Sequence, residues 1–160
     1  MKKAAIIEDN LPVIHSMGNL IFDPVWSMSN HKSGKCELLH VISGSVYLVM
    51  NRRRTLALPG DTLLIPSHTV HRDDFDFRSE LKVFMVLFSW NWEKDYFKHV
   101  KSHFISRLAS AEKEEMGSLI QKFRNDFSGC GDGRDFKMRI RFSEILMRIL
   151  YLSEEMNNNE

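Results

Sequence analysis

Alternating apolar and polar positions dominate the first half of the chain, and a repeat of three to four residues dominates the second. From Cys36 the run Cys-Glu-Leu-Leu-His-Val-Ile meets Ser43-Gly44, and Ser-Val-Tyr-Leu-Val-Met continues to Met50. Both runs are rich in β-branched and aromatic residues and predict two short strands joined by a turn. Asn51-Arg52-Arg53-Arg54 predicts a second turn, Thr55 to Leu58 another strand, Pro59-Gly60 a third turn and Thr62 to Ile65 the next strand. Lys82 to Trp90 adds a last, strongly apolar strand. Turn signals at intervals of about ten residues point to an all-β barrel or sandwich rather than to βαβ units.

After Trp90 the period changes. Met116, Leu119, Ile120, Phe123 and Phe127 form one helical stripe, with Ser110 as a candidate N-cap and the glycine-rich stretch from Gly129 to Gly133 as the stop. A second helix is predicted from about Asp135 to Glu155. It carries two apolar rows, Met138, Phe142, Ile145, Ile149 and Leu152 on one side and Phe136, Ile140, Met147 and Tyr151 on another. One row can pack within the chain, and a partner subunit is the usual cover for a surplus stripe. Residues 1–20 lack strong periodicity, and the Asn157-Asn158-Asn159-Glu160 tail reads as a frayed end or the start of a linker.

Composition narrows the function. Lys plus Arg number 22 and Asp plus Glu 21, a net charge of +1, whereas a domain that grips nucleic acid by its phosphates carries a basic excess. Arg52 to Arg54 are accordingly read as a solvated hairpin tip. The longest apolar stretch, Val83 to Phe88, falls far short of the ~20 residues of a spanning helix, and the N-terminus lacks the apolar segment of a secretory signal. Cys36 and Cys130 are read as free thiols. These features predict a cytoplasmic protein with no membrane partner. No nucleophile elbow, phosphate-binding glycine loop, paired-cysteine motif or His-Glu-x-x-His helix is present, so no catalytic residue is assigned and no enzymatic activity is expected.

Two segments resemble the signature motifs of the cupin superfamily. His31-Lys32-Ser33, then Glu37, then Gly44 follow the spacing of the first motif, with Ser33 in place of its second histidine. Gly60, Pro66 and His71 follow the second motif, with His68 where a glycine would stand. More specifically, Cys36 to Gly44 and Leu58 to His71 resemble the sensor domain of AraC-type transcription regulators. That resemblance implies a mainly β fold with C-terminal helices, a cupin-type (double-stranded β-helix) barrel followed by two amphipathic α-helices. It implies an N-terminal arm at residues 1–20, the barrel at 21–92, a helical dimerisation segment at 93–156 and the start of a linker at 157–160. A C-terminal DNA-binding domain, absent from this chain, would make the only contact with DNA.

The function implied is an effector-binding and dimerisation domain that senses a small molecule, a sugar or other small polar metabolite, and forms a homodimer. Glu37, Leu39, Val41, Leu48, Met50 and His71 are the expected ligand-binding residues, and Met138, Phe142, Ile145 and Ile149 the expected dimer interface. By the cupin resemblance His31, Glu37 and His71 could hold a divalent metal, two imidazoles and a carboxylate with open positions. Otherwise no cofactor is expected. The alternative is a stand-alone metal-dependent cupin enzyme of dioxygenase or isomerase type. His40, of opposite strand parity to Glu37, is expected to face outward, and His68 to lie solvated in a turn. Trp26, Trp90 and Trp92 are placed at the ends of the barrel, where they could cap a pocket or the helix junction.

Overall fold

Strand-forming residues in the first 90 positions build two antiparallel sheets, seen in a computed structural model that describes residues 9–22, 24–76, 78–100, 110–127 and 133–158. The strands are β1 (Val13–Ile21), β2 (Cys36–Ser43), β3 (Val46–Met50), β4 (Arg53–Ala57), β5 (Thr62–Ile65), β6 (His71–Asp74) and β7 (Lys82–Ser89). The helices are α1 (Pro24–Ser27), α2 (Glu93–His99), α3 (Ser110–Phe127) and α4 (Arg134–Asn158). The described residues fall into two compact units, one of residues 14–89 and one of residues 9–13, 90–100, 110–127 and 133–158.

In the first unit one sheet has the order β1-β7-β2-β5 and the other β4-β3-β6. β2 is central, with Glu37 opposite Ile65 on β5 and Leu87 on β7, and both faces of its first half are buried. The turns follow backbone chemistry. Gly44 sits at φ +80°, where an added Cβ would lie 2.5 Å from the Glu80 carbonyl oxygen. Gly60, after Pro59, sits at φ 88°, and the Asp61 carboxylate accepts the Leu58 N–H at 2.8 Å.

Three elements depart from the expectations. Arg53 and Arg54 belong to β4, because Asn51 and Arg52 both adopt positive φ (51° and 64°) and close a two-residue hairpin. Arg54, exposed like Arg52 and Arg53, places its guanidinium carbon 3.7 Å from the Tyr47 ring centroid. Residues 13–21, within or next to the segment read as an arm, form β1, an edge strand whose mixed burial hid it from a search for alternation. Four polar residues, His-Arg-Asp-Asp, form β6. The predicted helix stop at residues 129–132 and Cys130 lie outside the described residues, as do the side chains of Trp26 and residues 156–160. Cys36 is buried and forms no disulfide among the described residues.

In the second unit α3 buries Met116, Ile120 and Phe123, and α4 buries Met138, Phe142, Ile145, Ile149 and Leu152. The Phe123 and Phe142 rings stand 5.4 Å apart, and the Tyr96 hydroxyl donates to the Leu146 carbonyl at 2.7 Å. Asp126 of α3 receives Lys137 and Arg141 of α4. Trp90 donates its indole N–H to the Asn10 carbonyl at 2.8 Å, and Trp92 to the Asn10 side chain at 3.0 Å, so both anchor the segment before β1. Arg139 donates to the carbonyls of Leu11 and Pro12. α4 runs on through Asn158, past the point where the polar tail was expected to fray. Among the described residues no helix is long and apolar enough to cross a membrane.

The expected dimer residues Met138, Phe142, Ile145 and Ile149 are thus buried inside one chain, at most 6% exposed. The α4 row left outside is the other one: Phe136, Ile140, Met147 and Tyr151, between 37% and 54% exposed.

A buried polar cluster beneath an apolar cavity

β6 carries the polar cluster. Its burial alternates, so His71 and Asp73 face inward while Arg72 and Asp74 pair with each other on the opposite side, Nε to Oδ1 at 2.9 Å. Register with β3 sets His71 opposite Met50 and Asp73 opposite Leu48. His31 joins through an antiparallel bridge in which the His31 and His71 backbones exchange both N–H···O bonds at 2.9 Å. The two rings then stand 4.3 Å apart.

Both imidazoles are held in one tautomer. A carbonyl can only accept, so Nδ1–H of His31 donates to the Ser29 carbonyl at 2.8 Å and Nδ1–H of His71 to the Thr69 carbonyl at 3.0 Å. Each neutral ring therefore presents an Nε2 lone pair to the carboxylates. His31 Nε2 is 3.7 Å from Asp73 Oδ2, and His71 Nε2 is 3.8 Å from Glu37 Oε2. His71 Nε2 and Asp73 Oδ1 have no hydrogen-bond partner among the described residues.

Burial dominates the electrostatics. Loss of hydration pushes the Glu37 carboxyl up to about 7. It does the same to Asp73, raised to about 7, with the nearby charges of Glu37 and Asp74 adding to the effect. His71 is lowered, first by burial and then by the neighbouring His31, against the opposing pull of the Thr69 carbonyl.

Glu37 and Asp73 also line a cavity of about 590 Å³, whose other walls include Phe22, Leu39, Met85 and Leu87. Of the residues expected to bind ligand, Glu37 and Leu39 are on this wall, and His71 is buried among the groups behind it. Val41, Leu48 and Met50 are not. They pack into the apolar core with Val46, Ala57 and Leu63, because the interior of a small barrel is filled by its own side chains. Leu20, Ile21 and Phe22 of the β1 end, and Met85 and Leu87 of β7, were missed; the alternation of β7 carried a signal for the latter pair, and β1 carried none. His40, expected to face outward, lies on the opposite face from Glu37 and is half-buried, its Nδ1 3.0 Å from Thr62 Oγ1. His68 is exposed in a turn at φ 59°.

A divalent ion of the kind implied by the cupin motifs fits this cluster. One ligand atom from each of His31, His71 and Asp73 lies within 4.8 Å of the others. Around an ion with bonds of about 2.1 Å, donors stand roughly 3 to 4 Å apart, so small side-chain rotations suffice. Glu37, the carboxylate expected from the motif, stands outside that group.

The chain belongs to the family of AraC-like ligand binding domains, whose model matches residues 23–139. No curated protein matches it. Among solved structures it is similar to the AraC-like transcriptional activator CuxR, at 9% identity and a TM-score of 0.58, over 91% of this chain and 52% of that one. This chain therefore spans about half the length of that activator. It also matches a cupin superfamily protein from Desulfitobacterium hafniense, at 12% identity and a TM-score of 0.35, over 46% of this chain and 77% of that one. A predicted oxalate decarboxylase from Thermotoga maritima matches at 18% identity and a TM-score of 0.40, over 54% and 73%. At such identities the likeness to CuxR shows the fold, mainly β with C-terminal helices.

Proposed function

We propose that this chain is the effector-sensing and dimerisation domain of a cytoplasmic AraC-type transcription regulator, which binds a small molecule in the cavity between Phe22, Leu39 and Met85. The cavity carries this reading: about 590 Å³ is the size of a small-molecule site, and its wall is apolar with a few convergent polar groups. Such a wall suits a small metabolite with an apolar body and a polar head, since Phe22, Met85 and Leu87 offer apolar cover while Ser27, Lys32 and Ser33 stand among the polar lining groups. Glu37 is placed to receive the head.

The homodimer in this reading forms on the exposed α4 row of Phe136, Ile140, Met147 and Tyr151. DNA is contacted through a further, C-terminal domain, a reading supported by this chain's spanning about half of an AraC-like activator. Effector binding acts by stabilising the conformer it fits better. The test is a thermal-shift screen of small metabolites followed by calorimetry on the hits. A specific ligand whose binding is lost when Met85→Trp fills the cavity, in a variant that still folds, is the expected result. Saturable binding that Met85→Trp leaves unchanged would refute the site.

A second reading, a metal-dependent cupin enzyme, draws on the His31, His71 and Asp73 group. Recovery of the bound ligand chemically unchanged after long incubation with metal-loaded protein distinguishes the sensor from it.

A further inference from the structure

We infer that Asp73, a residue outside both motifs, supplies the carboxylate of a divalent transition-metal site with His31 and His71, and that Glu37, at the motif's carboxylate position, is left to the cavity. The inference rests on the sensor reading only for the role of Glu37; the metal site stands on its own geometry.

Three observations converge on it. The ligand atoms of His31, His71 and Asp73 cluster within 4.8 Å, whereas Glu37 falls outside the group. Both Nδ1–H groups are already committed to backbone carbonyls, the second-shell arrangement that orients a metal-binding imidazole and exposes its other nitrogen. His71, fully buried at its side chain, and Asp73, 2% exposed there, each keep a buried atom, Nε2 and Oδ1, without a hydrogen-bond partner among the described residues. A buried polar atom left in this state is costly. Two imidazoles and a carboxylate with positions left open suit a divalent transition metal rather than magnesium or calcium, which take oxygen ligands.

The motif pointed to Glu37 because spacing along one strand cannot weigh a residue on another. Asp73 stands two positions after His71 on β6, so the pleat turns both to one face, and the bridge to His31 closes the group. With Glu37 the set would spread over β2 and β6; with Asp73 two of the three ligands come from one short strand.

The decisive measurement is a titration of the full 160-residue chain, first stripped with chelator, with Co²⁺ and then Zn²⁺ and without effector, followed by visible absorption and calorimetry. The expected outcome is one equivalent bound, with d–d bands of a nitrogen- and oxygen-ligated ion. Asp73→Asn should weaken binding at least tenfold and Glu37→Gln change it less than threefold, with circular dichroism confirming that both variants fold. If Asp73→Asn does not fold, His31→Gln replaces it and must show the same loss. Retention by Asp73→Asn with loss in Glu37→Gln would establish the motif set instead and overturn the inference, as would the lack of stoichiometric binding to the folded wild-type chain. Because the titration contains no effector, a metal result of either sign is independent of whether a small molecule enters the cavity.

Discussion

Burial keeps the Glu37 carboxyl protonated up to about pH 7, against 4.5 in an exposed chain. The folded state therefore binds a proton that the unfolded state releases, so this group favours folding fully below pH 4.5 and ceases to do so as pH rises through 7. A shift of that size is worth on the order of 3 kcal/mol. In chelator-containing buffer Glu37→Gln should thus raise the melting temperature by about 6 to 12 °C at pH 8 and leave it nearly unchanged at pH 4.5, as scanning calorimetry at the two pH values will show. A variant that melts like wild type at pH 8 would mean that the carboxylate is better solvated than its burial indicates. Gly44 makes the opposite kind of demand. At φ +80° and with the Glu80 carbonyl oxygen 2.5 Å from where a Cβ would stand, Gly44→Ala must distort backbone. It should cost about 2 kcal/mol or more, read from urea denaturation. The glycine was legible in the sequence as a turn; the closeness of Glu80 was not, because it comes from a segment 36 residues further along the chain.

Elements written in apolar residues were easy to find, and those written in polar ones were not. β2, β3, β5 and β7 announced themselves by alternation, and α3 and α4 by helical spacing. β6 did not, since His71, Arg72, Asp73 and Asp74 carry no hydrophobic contrast although two of the four are buried. On α4 both apolar rows were visible, but not which one is buried within the chain: which row meets α3 depends on how the helices pair, and the Phe123–Phe142 contact decides it. Two substitutions separate the rows. Phe142→Ala, in the buried row, should destabilise the chain by about 3 to 5 kcal/mol in chemical denaturation. Met147→Glu, in the exposed row, should leave stability within about 0.5 kcal/mol and shift sedimentation velocity from dimer to monomer. A Met147→Glu protein that remains dimeric would remove this face from the interface.

For the whole molecule, a net charge of +1 argued against a phosphate-gripping surface, and a sensor domain has no need of one. Loading the chain with Zn²⁺ should raise its melting temperature in proportion to the logarithm of free ion above the dissociation constant, a linkage that chelator reverses. The apolar strands, the two long helices, the turn glycines and the family were readable from local pattern, because period and turn chemistry are properties of neighbours in sequence. Tertiary structure alone decided that Val41, Leu48 and Met50 fill the core while Phe22 and Met85 line a cavity, which α4 row is covered, and that Asp73 stands with His31 and His71. Each of these depends on what lies across a sheet or a helix pair, on register and side-chain volume. A one-dimensional pattern records which residues are apolar or charged; the groups that face them are fixed only when strands far apart in the chain come to share a wall.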